Sequence, residues 1–390
     1  MDGDYFKSYE NLSSHDVMLK DTRRLKFYRE FCNSCSSKFI KDKVVLDLGC
    51  GTGVLSMYAA SSGAKLVYAV EASEVAILAR KVIQENKIKN VKVIQGAIEK
   101  VTLPEKVDVI ISEWMGFYLV HEGMLSSIIY ARDHLLKPDG LIFPNRATLF
   151  ASPVDLKSFY ETNFSVYDSI DGFSMKCLKN LLWQERLKSP VCESVSPKSV
   201  LAFATSIVNW NLDSLTLDQL NDISQTTKFD VSLAGTLRGL TFWFSVSFQS
   251  ADFCSVLDTS PYLPETHWKQ TSVFLPKFTE VEKGDKVVIE IKLEKSKENP
   301  RWYEISVEQK SLLEKSFDPV GSLTNAGDGK LNGSSKLDEA NAERSEDELG
   351  DDNDVIAALI GALSEKYDVD PNEIAQVIAN NANDSDTEMD

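Results

Sequence analysis

No stretch of the 390 residues approaches the run of about 18 apolar side chains that a membrane-spanning helix needs, although 43% of the chain is hydrophobic. The opening residues, MDGDYFKSYENL, have neither the basic nor the apolar region of a secretory signal. Cysteine is sparse. Six are spread along the chain, which reads as reduced thiols in an intracellular protein rather than a disulfide framework. Cys32 and Cys35 form a C-x-x-C, but a zinc site needs four ligands and no second cysteine pair or histidine cluster accompanies them, so no metal is expected. A basic excess is also missing. The net charge is −17, yet residues 311–390 contain 5 Lys/Arg against 20 Asp/Glu, whereas residues 1–310 contain 37 against 39. A nearly neutral body lacks the cationic footprint of a nucleic-acid binder. Neither nucleic acid nor a membrane is an expected direct partner. The acidic tail either keeps the protein soluble or attracts basic partners.

What is present is an ordered change of pattern. Residues 1–36 carry a helical segment in which Leu12, His15, Leu19, Leu25, Tyr28 and Phe31 recur at helical spacing. Strands and helices alternate over residues 37–144: VVLDLG, TGVLSMYAASSG, KLVYAVE, SEVAILARKVIQENK, VKVIQG, VDVIISE, EGMLSSIIYARDHLL and GLIFP. That alternation predicts a parallel sheet covered on both faces. Residues 145–310 turn to short, alternating, aromatic-rich strands, which predict an antiparallel sandwich or barrel. Within them, residues 158–187 read as a helical arm. Its aromatics (Phe159, Tyr160, Phe164, Tyr167, Phe173) fit a partner surface or a cover for the β domain's own core. Residues 311–353 read as an acidic disordered linker, 354–381 as a short helical segment and 382–390 as an acidic tail.

Two loops carry chemistry. VLDLGCGTG places Asp47 at the end of the first strand, followed by Gly49, Gly51 and Gly53. Glycines at a strand-to-helix turn let backbone approach a ligand. The spacing is G-x-G-x-G rather than the dinucleotide G-x-G-x-x-G, and the preceding acid suits a ligand with a positive or hydrogen-donating group. Glu71 closes the second strand, where an acid can accept ribose hydroxyls, and Glu99 follows the third, placed for an adenine amine. Together these predict S-adenosyl-L-methionine. The second loop, ISEWMGFYLVHEGML, sets Glu113 and Glu122 among aromatic and aliphatic residues. Carboxylates in that company are costly to desolvate unless a cation meets them.

Several segments, in order, resemble the type I protein arginine N-methyltransferase family, nearest its type 6 subfamily. They are YFKSY (5–9), HDVMLKD (15–21), VLDLGCGTG, SEWMGFYLVHEGM (112–124) and THWKQ (266–270), spread over about residues 5–308. The resemblance implies a Rossmann-like α/β domain followed by a β-barrel domain with a helical dimerisation arm, assembled as a homodimer. Phe6 would lie over the cofactor, and Arg24 would pair with its methionine carboxylate. His15, Met18, Ala72 and Ile98 would contact it, Glu71 its ribose and Glu99 its adenine. Glu113 and Glu122 would clamp the substrate guanidinium, and Asp21 and His267 would form a pair beside Glu122. Tyr9 would border the substrate channel and Trp268 would contact substrate, while Met18 and Met124 would shape the pocket so that one nitrogen is methylated twice. Expected substrates are histones and Arg/Gly-rich proteins, giving mono- and asymmetric dimethylarginine in nucleus and cytoplasm. Two positions depart from the family pattern. Phe117 stands where tyrosine is usual. Gly123 stands where serine is frequent and is expected to add backbone freedom. A methyltransferase of small molecules or nucleic acid, and a pseudoenzyme scaffold, are the alternative readings.

Overall fold

A computed structural model describes residues 12–313, except residues 35, 251, 252, 298 and 300. Phe6, Tyr9, the expected C-terminal helices and all of the acidic linker except its first three residues, which extend the last strand, lie outside the described residues. The segment expected to be helical up to residue 36 is two helices, α1 (Leu12–Lys20) and α2 (Thr22–Ser34), divided at Asp21. Asp21 is the reason for the division. Its Oδ1 accepts the Arg24 N–H at 2.9 Å, which caps α2.

The runs VVLDL, LVYAVE and VDVII are apolar at nearly every position, as suits strands covered on both faces. They form β1 (Val44–Leu48), β2 (Leu66–Glu71) and β4 (Val107–Ile111). With β3 (Val91–Gln95) and β5 (Leu136–Phe143) they make a parallel sheet of order β3-β2-β1-β4-β5. Three helices connect its strands: α3 (Val54–Ser61), α4 (Val75–Glu85) and α5 (Leu125–Leu135). The strand order reverses between β1 and β4. Chain connections leave in opposite directions there, opening a crevice at the carboxyl ends of the strands where ligands of such sheets bind.

After the cis Phe143–Pro144 bond the chain builds antiparallel sheets. β6 (Arg146–Val154), β7 (Val191–Glu193), β8 (Thr205–Asn211), β10 (Gly235–Ser250), β11 (Phe253–Asp258) and β12 (Gln270–Val281) form one; β9 (Asp222–Asp230), β13 (Lys286–Lys295) and β14 (Tyr303–Leu313) form the other. β12 lies against β14 and β8 against β9, so the sheets meet along both sides and enclose one core, as a barrel requires. Strand β13 shows why the pattern works. Val287, Ile289, Ile291 and Leu293 alternate onto the buried face while charged residues alternate outward.

The two sheet systems share an aromatic seam. Phe31 of α2 stacks on Phe143 of β5 at 3.7 Å and meets Phe248 of β10 edge-on at 5.1 Å. This seam fixes α2, and with it Asp21 and Arg24, against both domains. The arm consists of α6 (Lys157–Asn163) and α7 (Lys176–Arg186). Some of its apolar residues cover the β domain and others are left exposed. Phe159 and Trp183 pack on Phe274 of β12 at 5.5 and 5.1 Å, and Phe164 is buried against Trp183. Phe173 and Leu181 remain 69% and 65% exposed.

Candidate active site

A cavity of about 420 Å³ opens at the switch point, over the carboxyl ends of β1, β2 and β4. Backbone geometry makes it possible. Gly49 has φ +73°, a conformation that a side chain would strain, and a Cβ there would stand 2.6 Å from Met124 Cε, so the methionine of the acidic loop lies directly against the glycine loop. His15, Met18, Arg24, Gly49, Gly51, Glu71, Ala72, Ile98 and Glu99 all line the cavity. Glu71 is held rigidly: Oε2 accepts the Gly51 N–H at 2.9 Å, and Oε1 accepts the Ser73 N–H and hydroxyl at 2.8 and 2.7 Å. Glu99 accepts the Ser127 hydroxyl of α5 at 2.8 Å.

Two expected cofactor residues are placed differently. Asp47 does not line the cavity. It is buried beneath the glycine loop, where Oδ2 accepts the Ser56 hydroxyl of α3 at 2.6 Å. Burial pushes its carboxyl up to about 7, against the Ser56 hydrogen bond, so it supports the loop rather than presenting a charge to a ligand. Gly53 is also off the cavity wall. A Cβ there would meet Ile83 of α4 at 3.2 Å, so this position lets two helices pack. Cys50 lines the cavity, but burial drives its thiol well above the ordinary range, which keeps it protonated and unreactive.

The acidic loop, residues 112–124, follows β4 and doubles back on itself. Gly116 bridges to Leu119 and Phe117 to His121. Tyr118, Leu119 and Glu122 have φ of 38°, 71° and 61°, a region that side chains other than glycine rarely occupy. Glu113 and Glu122 both face the cavity. The Arg24 guanidinium touches Glu113 Oε2 through Nε and Nη2, each at 3.2 Å, with both side chains under 10% exposed. Both contacts fall on Oε2, which leaves Oε1 to a second cation. Arg24 thus joins a carboxylate expected to hold substrate to a position expected to hold the cofactor. Met18 and Met124 line the space between, and Phe117 lies at the rim, 39% exposed. Gly123 is tighter than expected: a Cβ would lie 3.2–3.3 Å from the carbonyl oxygens of Trp114, Val120 and Leu119. Its smallness, not its freedom, is what the loop uses.

His267 and Trp268 reach the same cavity from the loop before β12. His267 Nδ1 lies 2.7 Å from Asp21 Oδ2, which also accepts the His267 N–H at 2.9 Å. The Trp268 indole N–H donates to the Met115 carbonyl at 3.1 Å, joining this loop to the acidic one. Burial works against the Asp21 charge, but the His267 ring and the Arg24 and His267 N–H groups outweigh it and hold the carboxyl below its usual range. A folded-state pKa below the unfolded one contributes stability above about pH 4, lost as pH falls through the folded value. Asp21→Asn keeps a capping oxygen but loses the charge-assisted hydrogen bonds to His267, and is therefore expected to lower stability by about 1 kcal/mol at neutral pH and to flatten the acid limb of a plot of thermal midpoint against pH. Unchanged midpoints at every pH would contradict the pairing.

Sequence reasoning missed Arg301, which is buried, lines the cavity and accepts the Glu122 N–H on its carbonyl at 2.8 Å. It lies far along the chain from the acidic loop, and no local pattern marks it. Tyr118 and His121 were also missed, although both sit inside the quoted loop. Their signal was a polar ring at each end of an aliphatic pair.

Residues 145–311 match the family model described as the arginine methyltransferase oligomerization subdomain, and residues 40–189 one described as a methyltransferase domain. Protein arginine N-methyltransferase 6 of Danio rerio is 38% identical over 318 residues, covering 78% of this chain and 88% of that protein. A probable protein arginine N-methyltransferase 6 of Arabidopsis thaliana is 34% identical, covering 79% and 78%. Among solved structures, the Trypanosoma brucei PRMT1 enzyme-prozyme heterotetrameric complex with AdoHcy superposes with a TM-score of 0.71 at 32% identity, covering 77% of this chain and 94% of that one. A crystal structure of PRMT6 superposes with a TM-score of 0.65 at 31% identity, covering 77% and 100%.

Proposed function

Because the chain belongs to the type I protein arginine N-methyltransferase family, we propose that Glu113 and Glu122 hold a substrate arginine beside S-adenosyl-L-methionine, and that histones and Arg/Gly-rich proteins supply that arginine. The observation that carries this reading is one cavity walled by two carboxylates, a glycine loop and the Glu71 and Glu99 acceptors. These groups fit the cofactor. Glu71 would take the ribose, Glu99 the adenine amine, and Arg24, buried against the cavity, the methionine carboxylate. When bound, S-adenosyl-L-methionine supplies the methyl group that a guanidinium nitrogen attacks, leaving as the neutral thioether.

The remaining chemistry belongs to the chain. Arginine is planar and cationic, and its nitrogen lone pairs are delocalised, so it is a poor nucleophile. Glu113 and Glu122 hold two of its edges by charge-assisted hydrogen bonds, which fixes one nitrogen in place. They also draw positive charge toward the other nitrogens and leave the reacting one richer in electrons. No strong base is needed beforehand, because the nitrogen becomes acidic as its new bond forms. His267, oriented by Asp21, accepts that proton. Met18 and Met124 limit the space around the nitrogen, which favours asymmetric dimethylarginine.

The exposed Phe173 and Leu181 on the arm support a homodimer through this face, in line with the oligomerization subdomain. The acidic residues beyond 311 give basic substrates a site of attraction, and such substrates place the enzyme in nucleus and cytoplasm. Mass spectrometry of products from histones, Arg/Gly peptides and tRNA tests the reading. Mono- and asymmetric dimethylarginine on the proteins are expected. Methylated tRNA, symmetric dimethylarginine, or cofactor binding without transfer would each contradict it.

A further inference from the structure

The acidic loop poses a question that its carboxylates do not answer: what keeps three non-glycine residues in the left-handed region? Such backbone persists only where surrounding contacts over-determine it. Tyr118, at φ 38°, is the most demanding case, since an aromatic residue stands where glycine would be relaxed. Its side chain is buried, and its hydroxyl donates to the Tyr303 carbonyl at 2.7 Å. The same hydroxyl lies 2.8 Å from His121 Nδ1. That nitrogen lies 3.0 Å from the Tyr303 carbonyl oxygen and 3.2 Å from the Tyr303 amide nitrogen. With its proton on Nε2, the His121 ring accepts from the Tyr303 N–H. With its proton on Nδ1, it donates to Tyr118 or to the Tyr303 carbonyl. Either neutral tautomer closes the knot. Trp302 stacks on the outer face of His121 at 6.2 Å.

This knot is adjacent to the residue that matters. Glu122 directly follows His121, is itself at φ 61°, and donates its N–H to the Arg301 carbonyl at 2.8 Å. Residues 301–303, where β14 begins, therefore grip the acidic loop at 118, 121 and 122. We infer that Tyr118 and His121 are positioning residues that act through Tyr303 to hold the Glu122 carboxylate in the orientation that meets a substrate guanidinium. Neither ring lines the cavity, so neither meets a guanidinium held in it. This inference rests on Glu122 being a guanidinium ligand.

The test is a double-mutant cycle on the full chain. Tyr118→Phe removes one oxygen and keeps the ring's volume; His121→Leu removes the ring nitrogens. Turnover of an arginine peptide, its KM, the cofactor dissociation constant and the thermal midpoint are measured for each single variant and for the pair. Each single variant is expected to lose about tenfold or more in kcat/KM for peptide, with cofactor affinity within about twofold of the parent, as fits loss of one buried hydrogen-bond partner. The double variant is expected to be no worse than the worse single, because residues in one network do not act additively. His121→Asn, which keeps an acceptor near the position of Nδ1, is expected to recover part of the loss. Singles with normal kcat/KM, additive losses, or cofactor affinity falling in parallel with turnover would each overturn the assignment. Glu122→Gln in the same assay separates the two ideas. If it turns over normally, the guanidinium reading fails. If it is inactive while Tyr118→Phe is normal, only the positioning role fails.

Discussion

Glu122→Gln is expected to cut methyl transfer by about a hundred- to a thousandfold while leaving cofactor affinity close to that of the parent. The change keeps the side chain's shape and removes its charge. A guanidinium held in a partly buried site then loses one of two anionic partners, a loss on the scale of about 3–5 kcal/mol for breaking a buried pair. Glu113→Gln is expected to fall at least as far, but for two reasons at once. Arg24 is buried and makes both of its Glu113 contacts to a single oxygen. The variant leaves that guanidinium without its anion, so stability and cofactor affinity fall together with turnover. The two substitutions are chemically identical, and the contrast between them distinguishes a carboxylate that anchors Arg24 from one that does not. Steady-state kinetics, calorimetry with the cofactor and thermal melts of both variants measure it. Similar losses of cofactor affinity in both would contradict the division.

Gly116→Ala is expected to be the most damaging of the small substitutions. A Cβ at that position would fall 1.6 Å from the His121 carbonyl oxygen and 2.6 Å from its carbon, both backbone atoms that cannot rotate away. The bridges from Gly116 to Leu119 and from Phe117 to His121 would have to open. Opening them moves Glu122 and the Met124 side chain that closes against Gly49. Overpacking of this kind costs about 1–3 kcal/mol or more, and activity is expected to fall at least about a hundredfold because the second carboxylate leaves its place. Gly140→Ala is a useful control. Its Cβ would meet mainly the Leu136 side chain, which can turn aside, with one carbonyl contact at 3.0 Å. A Gly116→Ala variant as active as Gly140→Ala would show that the loop does not need its observed path.

The parallel sheet was readable because strands buried on both faces have no choice of residue: VVLDL, LVYAVE and VDVII exclude charge nearly throughout. The switch point followed from their order. Short or borrowed elements were not readable. β7 is three residues long and exists because Ser272, Thr271 and Gln270 pair with it. Position in the sequence also misled where a side chain's direction decides its role. Asp47 and Glu71 both stand at strand ends, but Asp47 turns under the glycine loop toward Ser56, whereas Glu71 turns over it toward Gly51. The spacing of acids cannot separate those outcomes. Gly123 was read as freedom and serves as space, because three carbonyls converge on it only in the folded loop. The grip of residues 301–303 on the acidic loop depends on β14 returning beside residues almost two hundred positions earlier, a contact that no local pattern encodes.

The central claim is that two carboxylates await one guanidinium beside the methyl donor. Calorimetric titration of an arginine peptide into protein saturated with S-adenosylhomocysteine tests it most directly, comparing the parent with Glu122→Gln. The account predicts binding by the parent, at least about tenfold weaker binding by the variant, and no binding of the same peptide with lysine in place of arginine. Equal affinity of parent and variant for the arginine peptide, or equal affinity of the parent for both peptides, would contradict it.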